Sequence, residues 1–178
     1  MNLLFDFTVD KDTATIHITR EFAADLDLVW DAFTKSEILD QWMGPKPWRV
    51  QTKEMDFREG GRWLYTMVSP ENVSSGRWSL AEFVEIQPKS SFTTKNSFSD
   101  ENGNPLDSNF TFSMTTNAFE AEGEKTVVRI AKKMASLAEM EQFVAMGYKE
   151  GFAASMENLD EYIRTLDRKS TRLNTSAR

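Results

Sequence analysis

Cysteine is absent from this 178-residue chain, histidine occurs once and proline five times. The first absence excludes disulfides, thiolate metal sites and a cysteine nucleophile, and leaves nothing that points to an oxidising compartment, so a cytoplasmic location is expected. A single histidine would leave a transition-metal site to carboxylates, a poor donor set for zinc, so no metal and no cofactor are expected. No stretch approaches the roughly 18 uninterrupted apolar residues of a membrane helix. Residues 1–10 lack a basic segment followed by an apolar run, so neither membrane insertion nor a signal peptide is expected. Positive charge is also short: 21 Lys and Arg face 28 Asp and Glu, a net charge of −7. Such a surface repels phosphate backbones, which argues against nucleic acid as a partner.

What the chain does have is apolar bulk. Hydrophobic residues make up 40%, with 13 Phe, 5 Trp and 9 Met, enough to offset the ordering entropy of one domain. Residues 1–12 read as an N-terminal extension. Residues 13–19 alternate as a first strand, with Thr15, His17 and Thr19 on one face and Ile16 and Ile18 on the other. Asp25 is an N-cap, and Leu26, Val29, Trp30 and Phe33 follow at helical spacing. A second short helix, 36–43, starts at a Ser36 cap and stops at Gly44-Pro45. From Trp48 the period is two, broken at 60–61, 70–76, 87–90, 100–107 and 121–125, which leaves room for six antiparallel strands.

Trp63, Tyr65 and Met67 share one strand face, and Phe110, Phe112 and Met114 share another. Residues 136–166 predict a long helix with Ser136 and Glu139 as a capping box and Gly147 and Gly151 on its apolar stripe. Those glycines mark either a kink or space left above the sheet. Residues 167–178 are polar, basic and patternless and predict a disordered tail outside the native domain, whose natural stop is expected near Leu166.

Four segments carry a family resemblance. They are Val29-Trp30-Asp31-Ala32-Phe33-Thr34, Ile38-Leu39-Asp40-Gln41-Trp42-Met43-Gly44-Pro45, Asp56-Phe57-Arg58-Glu59-Gly60-Gly61-Arg62-Trp63 and Met146-Gly147-Tyr148-Lys149-Glu150-Gly151-Phe152. In this order they resemble the SRPBCC (START-like) superfamily, in the branch similar to the activator of the ninety-kilodalton heat-shock protein ATPase, over residues 13–166. The resemblance implies an α+β helix-grip fold, a curved antiparallel sheet of about seven strands wrapped around a long C-terminal helix, with two short helices after the first strand. It also implies a pocket for apolar or amphipathic small molecules, with cyclase or dehydratase chemistry in a minority of members. A role in the stress response, with a chaperone as partner, follows from the branch. The chain departs from the pattern at Ala24-Asp25, where a proline is usual, and at Met43, where a second aromatic is usual.

On this reading Trp42, Trp63, Tyr65, Met67, Trp78, Glu82, Phe112, Met114 and Phe152 are the candidate pocket residues. Tyr65 would be the polar handle, since a buried phenol wants a partner. Glu82, set beside Trp78, would be an acid with a raised pKa if its strand turns it inward, and a slip of one residue would turn it out. Trp42 either lines the pocket mouth or plugs the end of the core. His17 reads as a surface residue, and Glu54, Asp56 and Arg62 as an ion pair across the hairpin at Gly60-Gly61, which lacks the features of a phosphate loop. No catalytic set emerges. The expected function is small-molecule binding, with stimulation of a heat-shock ATPase or a cyclase-type activity based on Tyr65 or Glu82 as alternatives; a homodimer is left open.

Overall fold

The structure, a computed structural model, describes residues 2–107 and 110–176, with side chains through 166. In chain order the elements are β1 (Phe5–Asp10), β2 (Thr15–Phe22), α1 (Leu26–Thr34), α2 (Ser36–Trp42), β3 (Arg49–Met55), β4 (Arg62–Val68), β5 (Ser74–Gln87), β6 (Ser91–Ser99), β7 (Ser113–Glu122), β8 (Lys125–Met134), α3 (Leu137–Ala145) and α4 (Tyr148–Ser176). The strands form one antiparallel sheet in the order β1-β2-β8-β7-β6-β5-β4-β3, the α+β helix-grip arrangement.

The sheet is one strand larger than expected. The segment read as an N-terminal extension supplies the edge strand β1, paired with β2 from Phe5↔Arg20 to Asp10↔Thr15. Phe5 and Phe7 alternate there with Asp6 and Thr8, so the period of two extends to this end of the chain. On β2 the side chains of Ile16, Ile18, Arg20 and Phe22 are buried, whereas His17 is exposed on the opposite face. The next six strands fall where the turn residues divide them. Register shifts at Thr52/Glu54, Thr66/Val68 and Phe83/Glu85 are β-bulges, which bend a sheet and add to its twist. The concave face of that bend receives the helices.

Asp25 caps α1 as expected, its carboxylate accepting the Leu28 N–H at 2.8 Å, and so fills the place of the usual proline. α2 differs from expectation. Its N-cap is Lys35, which makes no side-chain capping bond, and it ends at Trp42, before the positive-φ turn at Gly44 (φ +108). α4 clasps that turn. Asn158 Nδ2 donates to the carbonyls of Trp42 and Gly44 at 3.2 and 2.8 Å, and the Gly44 N–H donates to Ser155 Oγ at 3.1 Å.

The single helix expected over 136–166 is two. Gly147 at φ +95 separates α3 from α4, because a backbone in this region is open to glycine and strained for other residues. The capping box is half formed: Ser136 Oγ accepts the Glu139 N–H, but the Glu139 carboxylate accepts the Thr111 N–H at 2.7 Å. In the segment expected to be a disordered tail, the backbone continues α4 as far as Ser176; its side chains, with 177–178 entire, lie outside the described residues. No helix among the described residues is long and apolar enough to cross a membrane. Gly147→Ala is expected to cost about 1–2 kcal/mol in chemical denaturation; a neutral result would show that α3 and α4 can join without strain.

α4 buries Met156, Leu159 and Ile163 against the sheet. At one end the core is a continuous aromatic cluster: Trp30 meets Phe57, Phe92 and Phe119 edge to face at centroid distances of 5.9, 5.8 and 5.0 Å. Such contacts add about 0.5–1.5 kcal/mol per pair beyond burial, and they make this end solid. The other end is not filled.

Candidate functional site

Between the concave face of the sheet and α4 lies a cavity of about 410 Å³, within the ~300–1,000 Å³ span of small-molecule sites. Its wall on β4 is Trp63 stacked on Tyr65, with ring centroids 4.0 Å apart. The Trp63 indole N–H donates to Thr52 Oγ1 at 3.0 Å, and the Thr52 hydroxyl donates to Asp40 at 2.6 Å, which fixes the ring. The helical wall is Tyr148, Gly151, Phe152 and Ser155 from one face of α4, with Phe143 from α3. Phe143 and Tyr148 meet at 4.6 Å. At Gly151 an added Cβ would meet nothing within 4 Å.

The floor is unlike the walls. Three cross-strand rows run over it: Trp63, Ala81, Asn96, Ser113 and Met134 in one, Phe83, Thr94, Thr115 and Lys132 in the next, and Phe92, Asn117 and Ile130 in the third. Small and polar side chains thus occupy the middle of the inner face of β5, β6 and β7. Lys132 Nζ donates to Ser113 Oγ at 2.9 Å and lies 5.4 Å from the centre of the Phe143 ring. Burial lowers its pKa from the ordinary 10.5 to about 8. Burial pushes the Tyr65 phenol up against the smaller opposing effect of its hydrogen bond with Ser79. Burial, and then the nearby Tyr65, push Tyr148 up further. The Oγ1 of Thr115 is shut off from solvent and has no hydrogen-bond partner among the described residues.

Of the nine residues expected at a pocket, six border the cavity: Trp42, Trp63, Tyr65, Met67, Phe112 and Phe152. Trp42 satisfies both of its readings, since it is 1% exposed with its N–H on the Ala32 carbonyl at 2.9 Å, yet its ring closes one end of the space. Met43 is beside it, the softer wall that replaces an aromatic. The other three are corrected. Trp78, Glu82 and Met114 lie on the outer face, because the inner positions of β5 are Ser79, Ala81 and Phe83 and those of β7 are Ser113, Thr115 and Asn117. Trp78 lies under Lys53, Glu82 is opposite Arg62, and Met114 pairs between Lys95 and Lys133. Phe110 and Phe112 precede β7 and are not part of it; Phe112 is 43% exposed with Lys95 Nζ 4.7 Å from its ring. The expected hairpin ion pair forms between Arg62 and Glu54 at 2.8 Å, while Asp56 pairs with Arg58.

Sequence reasoning missed Lys132, Thr115, Ser113 and Tyr148. One signal was available: in β8 the buried alternation Val128, Ile130, Met134 passes through a lysine.

Comparison with known proteins agrees with this architecture. A sequence model described as Activator of Hsp90 ATPase homolog 1-like protein matches residues 23–164. Protein Ms6760 from Mycobacterium smegmatis is similar at 26% identity and a TM-score of 0.80, over 90% of this chain and 96% of that one. A protein from Arthrobacter aurescens is similar at 25% identity and a TM-score of 0.78, over 87% and 88% of the two chains. CalU16 from Micromonospora echinospora, at 16% identity and a TM-score of 0.56 over 95% and 93%, shares the fold. No curated protein matches the chain. The family match runs from the end of β2 into the last buried turns of α4, and the chain therefore belongs to the Activator of Hsp90 ATPase homolog 1-like family.

Proposed function

We propose that the chain binds an apolar or amphipathic small molecule between the sheet and α4, as a cytoplasmic protein. The observation that carries this reading is the unfilled cavity of about 410 Å³ set beside a densely packed aromatic core. Aromatic walls that face one another across open space leave apolar surface in water and dispersion contacts unmade. A ligand would restore them and gain roughly 25 cal/mol for each Å² of apolar surface removed from water.

Native mass spectrometry of the purified protein, with a thermal-shift screen of fatty acids and aromatic polyketide-like compounds, tests the reading. A ligand at a hundred times its Kd stabilises the fold by about 2.7 kcal/mol. Gly151→Leu, which puts a side chain into open space, is expected to fold, to gain stability from helix propensity and to abolish that shift. An empty wild-type protein with no shift across the screen would end the small-molecule reading.

The family description favours a second reading, in which the chain stimulates a heat-shock ATPase through surface contacts. Binding to such a partner would survive Gly151→Leu. A cyclase or dehydratase would rest on Tyr65, since Glu82 faces away from the cavity.

A further inference from the structure

Among the described residues, Lys132 is the one cationic side chain that borders the cavity. Among the described residues that border it there is no Asp, Glu, His or Arg, and its only ionisable groups are Lys132, Tyr65 and Tyr148. Lys132 has no ion-pair partner among the described residues. Its ammonium has three donors, of which one is spent on Ser113 Oγ, and the ring of Phe143 covers another side. A serine hydroxyl that accepts from an ammonium keeps its own proton to donate. Thr115 is the direct cross-strand neighbour of Lys132, and its solvent-free hydroxyl is unpartnered. Buried polar groups in native proteins find partners, and a partly buried cation without a counter-ion is costly in proportion to the water it has lost. Lys132 and Ser113 border the cavity side by side, while the Thr115 hydroxyl lies just beneath that surface.

Building on the binding reading above, we propose that the ligand carries a single anionic head group, a carboxylate or a group of like charge, seated on Lys132 and Ser113. Its apolar body lies toward Trp63, Tyr65 and Phe152. The head would accept charge-assisted hydrogen bonds, which are the stronger kind. A neutral apolar ligand would instead strip water from the ammonium and return nothing. The arrangement therefore discriminates between amphiphiles of equal length by the charge of their heads.

The test uses three ten-carbon probes, decanoate, decanol and decylammonium, titrated into the wild type, Lys132→Met and Lys132→Gln and followed by tryptophan fluorescence, to which Trp42 and Trp63 on the cavity wall contribute. In the wild type decanoate is expected to bind about tenfold or more tighter than either of the others. Both variants should lose that preference without weakening decanol. Equal affinities in the wild type, or an unchanged decanoate-to-decanol ratio in the variants, would overturn the head-group assignment and leave small-molecule binding standing. Failure of all three probes to bind would remove the binding reading for linear amphiphiles and the assignment with it.

Discussion

Asp160→Ala is expected to destabilise the fold by about 3–5 kcal/mol, the range for stripping the partner from a buried charge. Asp160 lies on α4 and Arg20 on the inner face of β2; their side chains are 17% and 8% exposed and their charged atoms 2.5 Å apart. Arg20 also donates to the carbonyl of Glu21 and lies over the ring of Phe22 at 4.9 Å. With its counter-ion gone the buried guanidinium stays charged, because it does not lose its proton. A domain's whole stability is ~5–15 kcal/mol, so this one truncation reaches a large share of it. The double variant Arg20→Met with Asp160→Leu should recover most of the loss, because apolar pairs commonly replace buried ion pairs at little cost. Guanidinium unfolding of the single and double variants checks both statements. A loss below 1 kcal/mol for Asp160→Ala would mean that α4 does not depend on this pair for its hold on the sheet.

Lys132→Met is expected to act in the opposite direction and stabilise the ligand-free protein at neutral pH. The folded pKa is lowered to about 8 from 10.5 by burial, so the folded state disfavours the charged form. Below pH 8 both folded and unfolded lysine are protonated, and the fold carries the whole burden of the buried charge. Between about 8 and 10.5 the folded protein releases its proton first, the unfolded chain binds more protons, and stability rises with pH. The difference corresponds to about 3 kcal/mol, or roughly 6–12 °C in melting temperature for a chain of this size. The other titratable groups bordering the cavity, Tyr65 and Tyr148, are both pushed up by burial and stay neutral over most of this window. The wild type should therefore gain on the variant from pH 8 to 10, and the two curves should converge. If Lys132→Met is instead less stable at pH 7, the protein itself satisfies the ammonium and the case for an external anion weakens. A residue that lowers stability while lining an empty space is what a stability–function trade-off leaves behind.

Much of this fold was legible because burial is periodic. Ile16 and Ile18, then Trp63, Tyr65 and Met67, alternate cleanly, and Asp25 and Ser136 cap the helices they precede. The candidate site was legible only where its walls obey the same rule. On β5 and β7 the rule inverts: Trp78 and Met114 face outward while Ser79, Ser113, Thr115 and Asn117 face in. Assigning the apolar set to the inside placed both strands one residue out of phase, and carried Glu82 in with Trp78. The inversion has a physical reason. Large side chains at those inner positions would fill the cavity, and apolar ones would leave Lys132 without a hydroxyl to bond. Local pattern fails where a site departs from the packing that pattern encodes. Gly147 and Gly151 split the two readings of a helical glycine between them, the first as the break between α3 and α4 and the second as open space.

The strand order has a consequence for how the protein is made. β2 finds its inner neighbour only in β8, with Thr15 opposite Lys133 and Phe22 opposite Thr126, so the second strand waits for the eighth. Pairings between distant parts of a chain form slowly, since loop closure must precede the contacts that reward it. A nascent chain that ends before β8 has the aromatic walls of β4 but neither the lysine of the floor nor the helix that roofs it. Such a chain exposes Trp63, Tyr65 and the open edges of β2 and β7 to other chains. The interval in which β8 emerges and docks is the one in which this protein most needs shielding from aggregation.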